Sequence, residues 1–94
     1  MRIAIPGDVV FRNLAGEALL VHLGSGTYFG LDKIGTRIWQ LLAEHRSTEA
    51  VIPHLLKEYA VDESRLRSDL DVLVAQLLAK HLVTADAGEI PQAR

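Results

Sequence analysis

The 94-residue sequence predicts an α+β domain in which a three-stranded antiparallel sheet precedes three helices. Apolar residues follow the two-residue period of strands as far as Leu31, and the 3.6-residue period of helices after it. The length points to one domain, because two independent cores rarely fit into so short a chain. Three strands and three helices are the content of a winged-helix fold, although here the sheet precedes all the helices.

The predicted strands are short and are joined by turns. The first, Val9–Leu14, begins with β-branched and aromatic residues and ends in the turn chemistry of residues 13–16. The second spans residues 17–23, and a Gly-Ser-Gly turn leads to the third, Thr27–Leu31. One face of the second strand carries Leu19, Val21 and Leu23. On the third strand, one face carries Thr27, Phe29 and Leu31, and the opposite face carries Tyr28 and Gly30. Such a meander leaves its two outer strands as edges.

Each predicted helix starts at a residue that can cap it. Asp32 caps a first helix that runs to about residue 45. Ser47 or Thr48 caps a second helix that runs to about residue 59, and Asp62 caps a third helix from residue 63 to about residue 81. The apolar stripes are Ile34, Ile38, Leu41 and Leu42; then Val51, Ile52, Leu55, Leu56 and Tyr59; then Leu66, Leu70, Leu73, Val74, Leu77 and Leu78. Because Pro53 removes a helical hydrogen bond, we expect the second helix to start late or to bend.

Three further expectations concern single segments. Trp39 lies at the margin of the first stripe, so we expect partial burial with its N–H at the rim. Residues 82–84 extend the third helix and are expected to close the core. Residues 85–94 show no periodicity and are expected to form a flexible tail, which leaves residues 1–84 as the domain.

Composition excludes several classes of protein. The absence of cysteine rules out disulfides, cysteine-ligated zinc and thiol catalysis, and it fits a cytoplasmic location. A net charge of −2 has the wrong sign for binding nucleic acid by bulk electrostatics. Apolar runs such as residues 18–21 are too short to span a membrane.

No catalytic or metal-binding motif is visible in the sequence. The four histidines, at positions 22, 45, 54 and 81, show no i, i+4 pairing, so no metal-binding helix is expected. Ser25 stands between two glycines in a pattern typical of a hairpin turn, and not of a nucleophile elbow. We therefore expect neither an enzyme nor a cofactor.

The third strand is the most informative element. It carries Tyr28 and Phe29, and no Lys or Pro between Gly24 and Asp32 protects it as an edge. Such an edge can accept a strand from another chain, but the third helix or a second copy of this chain could equally cover it.

The third helix has a faint second apolar facet. It carries Val72, Ala75, Ala79 and Val83 and is flanked by Asp69 and Gln76. This facet either contacts a partner or is simply exposed, since single exposed valines are common.

The run from residue 28 to residue 42, YFGLDKIGTRIWQLL, resembles the PqqD family. The similarity continues through Ser47 and residues 56–62, 69–73 and 77–83, so that it covers roughly residues 9–84. The resemblance implies a winged-helix-like, non-catalytic adaptor for ribosomally synthesised, post-translationally modified peptides. Such adaptors bind the leader segment of a precursor peptide and present it to a modifying enzyme, often a radical SAM enzyme, or to a leader peptidase in lasso-peptide systems. The pathway served, whether pyrroloquinoline quinone, lasso-peptide or another, stays open.

In the family, the leader adds as a strand beside the third strand, in a groove shared with the third helix. Carried onto this sequence, the peptide-binding residues are Thr27, Tyr28, Phe29, Gly30, Leu31, Asp69, Val72, Leu73 and Gln76.

Two other functions remain open at this stage. The first is a winged-helix DNA-binding protein, whose third helix would read duplex DNA. That helix carries Arg65, Arg67, Gln76 and Lys80, but also Asp69 and Asp71, which phosphates would repel. The second is a structural homodimer that pairs its own sheet edges.

Overall fold

A computed structural model describes residues 1–85 of the chain. The strands are β1 (Ile3–Ala4), β2 (Val9–Leu14), β3 (Glu17–His22), β4 (Thr27–Leu31) and β5 (Thr84–Ala85), and the helices are α1 (Lys33–His45), α2 (Thr48–Glu58) and α3 (Glu63–Ala79). The predicted α+β order of sheet and helices is confirmed. The tail predicted for residues 85–94 lies outside the described residues, except for Ala85, which belongs to β5.

The main sheet is antiparallel in the order β2-β3-β4. The hairpin between β2 and β3 turns through Ala15 and Gly16, both with positive φ, as the tightest hairpin turns require. A row of paired residues, Phe11, Leu20 and Phe29, faces the helices. The buried side chains of β3 are Ala18 and Leu20. Leu19 and Val21, on the opposite face of this strand, are only half-buried.

All three predicted helix caps are present. Asp32, Ser47 and Asp62 each accept a hydrogen bond from the backbone N–H three residues later. Of the two outcomes expected from Pro53, a late start or a bend, the late start is wrong, since α2 begins at Thr48, ahead of this residue. The carbonyl that loses its partner belongs to Glu49, an exposed residue that water can reach.

The core lies between the sheet and the three helices, and most of the predicted stripe residues are buried in it. Three assignments differ. Ile34 is 48% exposed and lies off the core. Trp39 is only 4% exposed, so the ring is fully buried and does not sit at the rim. Val83 is buried beside Leu82 beyond the end of α3, so it belongs to the core and not to an exposed facet. Residues 82 and 83 close the core as expected, but Thr84, which was expected to join them, is exposed in β5.

A two-stranded ribbon that the sequence did not predict joins the two ends of the described chain. Ile3 pairs with Ala85, and Ala4 with Thr84. Ile3 is also buried, and its N–H donates to the Arg46 carbonyl at 2.9 Å. The N-terminal segment is thereby fixed against both β5 and the connection between α1 and α2. Within residues 1–85, no helix has the length and apolar character that crossing a membrane requires.

Candidate functional site

Strand β4 lies at one edge of the main sheet. Within residues 1–85 its strand partner is β3, on one side only. Alternate backbone N–H and C=O groups of an edge strand point away from its partner, so β4 presents a row of such groups outward. Tyr28 is 70% exposed on this strand, and Gly30 is also exposed.

A groove of about 380 Å³ runs between β4 and α3. Its lining comes from β4, the first turns of α1 and the middle of α3: Phe29, Gly30, Leu31, Asp32, Ile34, Gly35, Ile38, Asp69, Val72, Leu73 and Gln76. Most of these side chains are apolar, and the polar ones are two carboxylates and an amide.

The start of α1 forms one wall of the groove because the chain turns directly from β4 into this helix. The Asp32 carboxylate caps α1 by accepting the Gly35 N–H at 2.7 Å. Gly35 packs tightly against β4, since a Cβ at this position would lie 3.2 Å from Leu31 Cδ2. This close approach places Ile34 and Ile38 beside the strand edge, where both line the groove.

The opposite wall is one side of α3. Leu73 packs partly against the core, whereas Val72 is 57% exposed and contributes an apolar side chain to the groove. Asp69 lines the groove one turn earlier, and its Oδ2 lies 3.5 Å from Arg65 Nε. Asp71 lines a different depression, as expected for a helical residue two positions away.

A smaller and more enclosed pocket of about 80 Å³ adjoins the groove. It shares Ile34, Ile38 and Asp69 with the groove, and it extends toward Tyr59 and Leu66 between the three helices. Asp69 therefore stands where the two depressions meet.

The chemistry of the groove suits binding. Its lining contains no His, Ser, Thr, Lys or Arg. The histidines with described contacts lie elsewhere: His22 is near Asp8 and Ser25 in the β3–β4 hairpin, and His45 stacks on His54 with ring centroids 4.6 Å apart. Within the described part of the chain, no group of three or more potential metal ligands is found.

The ion pairs that shift pKa values also lie outside the groove. Arg37 of α1 forms a bidentate pair with Glu58 of α2, with nitrogen–oxygen distances of 2.8 and 2.7 Å. These hydrogen bonds lower the pKa of Glu58. Arg67 binds Glu63 and Glu49, which ties α3 to α2, and both hydrogen bonds raise its pKa. The Arg37–Glu58 pair links α1 to α2, and the Arg67–Glu49 pair links α3 to α2.

The structure brings together most of the residues predicted to bind a peptide. Phe29, Gly30, Leu31, Asp69, Val72, Leu73 and Gln76 all line the groove. Thr27 and Tyr28 belong to the same strand edge but not to the lining. Sequence reasoning missed Asp32, Ile34, Gly35 and Ile38; their position directly after β4 was the available signal, but Ile34 and Ile38 were assigned to the core.

Comparisons with known proteins identify a family and two similar structures. Residues 17–83 match the family model described as coenzyme PQQ synthesis protein D, PqqD. The solved structure of TbiB1 in complex with the TbiA(beta) leader peptide is 39% identical in sequence, with a TM-score of 0.80 over 85% of this chain and 93% of that chain. The structure of lasso peptide synthetase B1 complexed with the leader peptide is 22% identical, with a TM-score of 0.77 over 88% of this chain and 98% of that chain, and it supports the fold. A search of curated proteins found no match.

Proposed function

Because this chain belongs to the PqqD family, we propose that it is a non-catalytic adaptor that binds the leader segment of a ribosomally synthesised precursor peptide. The leader binds as an added strand along β4, and the adaptor presents it to a modifying enzyme. The enzyme class that the family resemblance implies is a radical SAM enzyme or a leader peptidase. Because the precursor is a ribosomal product, the expected site of action is the cytoplasm.

The observation that carries the proposal is the open edge of β4 facing α3 across an apolar groove. A strand added to this edge would make backbone hydrogen bonds with β4, and its alternate side chains would enter the groove. TbiB1, which has a similar fold and 39% identity, was solved in complex with a leader peptide. The groove lining contains no His, Ser, Thr or Lys, and its two carboxylates have other partners, Asp32 in the cap of α1 and Asp69 beside Arg65, which supports a binding role.

The expected affinity follows from the cost of ordering a flexible leader. Strand hydrogen bonds and a few apolar anchors must offset this cost. An affinity between micromolar and high nanomolar, roughly −8 to −9 kcal/mol, is expected for a short strand of this type.

The direct test is an anisotropy titration of the full chain with a fluorescein-labelled leader, taken from any short precursor that is encoded beside its gene. The TbiA(beta) leader peptide serves as a comparison probe. Hydrogen exchange on the bound protein should show new protection in β4 and the groove face of α3, and not in β2. Protection confined to β2, or no binding of either peptide at about 100 μM, would refute strand addition at β4.

The winged-helix DNA-binding alternative has weaker support from the side chains of α3. Arg67 is held by Glu63 and Glu49, and Arg65 lies beside Asp69. These carboxylates compete with phosphate for the basic groups that a recognition helix would use. Steeply salt-dependent binding to duplex DNA at low ionic strength would revive that alternative.

A further inference from the structure

The groove has an uneven charge. Two carboxylates, Asp32 and Asp69, line it, and no Lys, Arg or His does. Asp32 already caps α1 through a 2.7 Å hydrogen bond from the Gly35 N–H. Asp69 is 62% exposed and lies 3.5 Å from Arg65 Nε, well beyond the 2.7–2.9 Å of a strong charge-assisted hydrogen bond. Asp69 therefore retains capacity for a second cationic partner.

Asp69 lies where a peptide bound in the groove would cover it. It stands on α3 one turn before Val72 and Leu73, at the junction with the smaller pocket. A strand lying along β4 directs alternate side chains toward α3, so one of them reaches the level of Asp69. Arg65, which lines the smaller pocket, lies beside Asp69 without forming a close hydrogen bond. Covering this carboxylate therefore costs free energy, and a second cation placed beside it offsets that cost.

We propose that Asp69 selects leaders by charge: the leader that fits this groove places a lysine or arginine beside Asp69, next to apolar side chains that contact Val72 and Leu73. This inference rests on the proposed function and specifies its ligand. An acidic leader residue at the same position would face a like charge and would bind more weakly.

Asp71 provides a matched control for this proposal. It lies on the same helix, two residues from Asp69, but lines a different depression. Asp69→Lys and Asp71→Lys therefore change the net charge of the chain equally, while only the first changes the charge of the groove.

The experiment selects short random peptides displayed on phage against the wild-type chain, Asp69→Lys and Asp71→Lys, with Val72→Asp as the groove-blocked reference. Peptides enriched on wild type should share a Lys or Arg at one fixed distance from their apolar positions. Asp71→Lys should enrich the same pattern, whereas Asp69→Lys should favour Asp or Glu at that position. In a labelled peptide from the selection, Lys→Gln should weaken binding about two- to five-fold, as expected for a partly exposed ion pair. The same change should have no further effect on Asp69→Asn.

The possible outcomes distinguish the role of Asp69 from the adaptor function. Enrichment without a charge preference, or a preference that survives in Asp69→Lys, overturns the role of Asp69 and leaves the adaptor function standing. Peptides that enrich equally on wild type and Val72→Asp would show that the groove is not the binding site, and both proposals would fall together.

Discussion

Val72 allows the groove to be tested without disturbing the fold. It lines the groove from α3, is 57% exposed, and does not belong to the buried core. Complete burial of a valine side chain stabilises by about 1.5–3 kcal/mol, so covering its exposed part on binding contributes about 1–1.5 kcal/mol. Complete loss of that contribution would be about 5- to 13-fold in affinity, and alanine keeps the Cβ, so we expect Val72→Ala to weaken leader binding by roughly 3- to 10-fold.

Val72→Asp should have a much larger effect. It removes the apolar contact and also places a second carboxylate one turn from Asp69, without a partner once a peptide covers it. We expect an affinity loss of at least about 100-fold, measured by anisotropy or calorimetry with the labelled leader. Because Val72 is exposed, the substitution should change the free energy of unfolding of the protein by only about 0.5 kcal/mol.

Leu23→Asp is the control for this substitution. Leu23 is 63% exposed in the β3–β4 hairpin and does not line the groove, so the same loss of an exposed apolar residue should leave binding unchanged. A folded Val72→Asp protein that binds its leader like wild type would refute the placement of the leader between β4 and α3.

Three further predictions concern the strand edge, the core and an ion pair. Gly30→Ala should keep the native fold, since a Cβ there meets nothing within 4 Å. Gly30→Pro, which also removes a strand N–H, should bind the leader at least about tenfold more weakly than Gly30→Ala while circular dichroism stays native. Trp39→Ala should lower the free energy of unfolding in urea by about 3–5 kcal/mol, because the ring is buried. Arg37 lowers the pKa of Glu58, so this carboxylate stabilises the fold above the usual glutamate pKa and loses that effect as the pH falls through the lowered value. On acidification, wild type should therefore lose more stability than Glu58→Gln does in parallel denaturation curves; equal losses would show that the pair contributes nothing.

The parts of the fold that local sequence determines were predictable. The change of period after Leu31 marks the boundary between sheet and helices, and Asp32, Ser47 and Asp62 mark the helix starts, because a cap acts within three residues of itself. The β1–β5 ribbon was missed because two-residue strands carry almost no pattern and their partners lie some 80 residues apart.

The assignments that failed depend on tertiary packing. The apolar stripe shows which side of α1 is apolar. It does not show that part of this side packs in the core while another part lines the groove. Trp39, at the margin of the stripe, is buried in the core, whereas Ile34, a member of the stripe, is exposed and lines the groove. The family resemblance identified the α3 wall of the groove. Close packing of Gly35 against the sheet could be predicted from the sequence, but the α1 wall of the groove was not predicted.

The ribbon of β1 and β5 has a consequence for protein architecture. Because residues 3–4 and 84–85 lie side by side, the two ends of the described chain leave the domain at one place, and no residue of either strand lines the groove. Domains with adjacent ends tolerate insertion and circular permutation. The whole unit can therefore be spliced into a surface loop of an unrelated carrier protein through two short linkers. In such a fusion, the edge of β4 would remain exposed to solvent, and neither linker would join the domain at the groove.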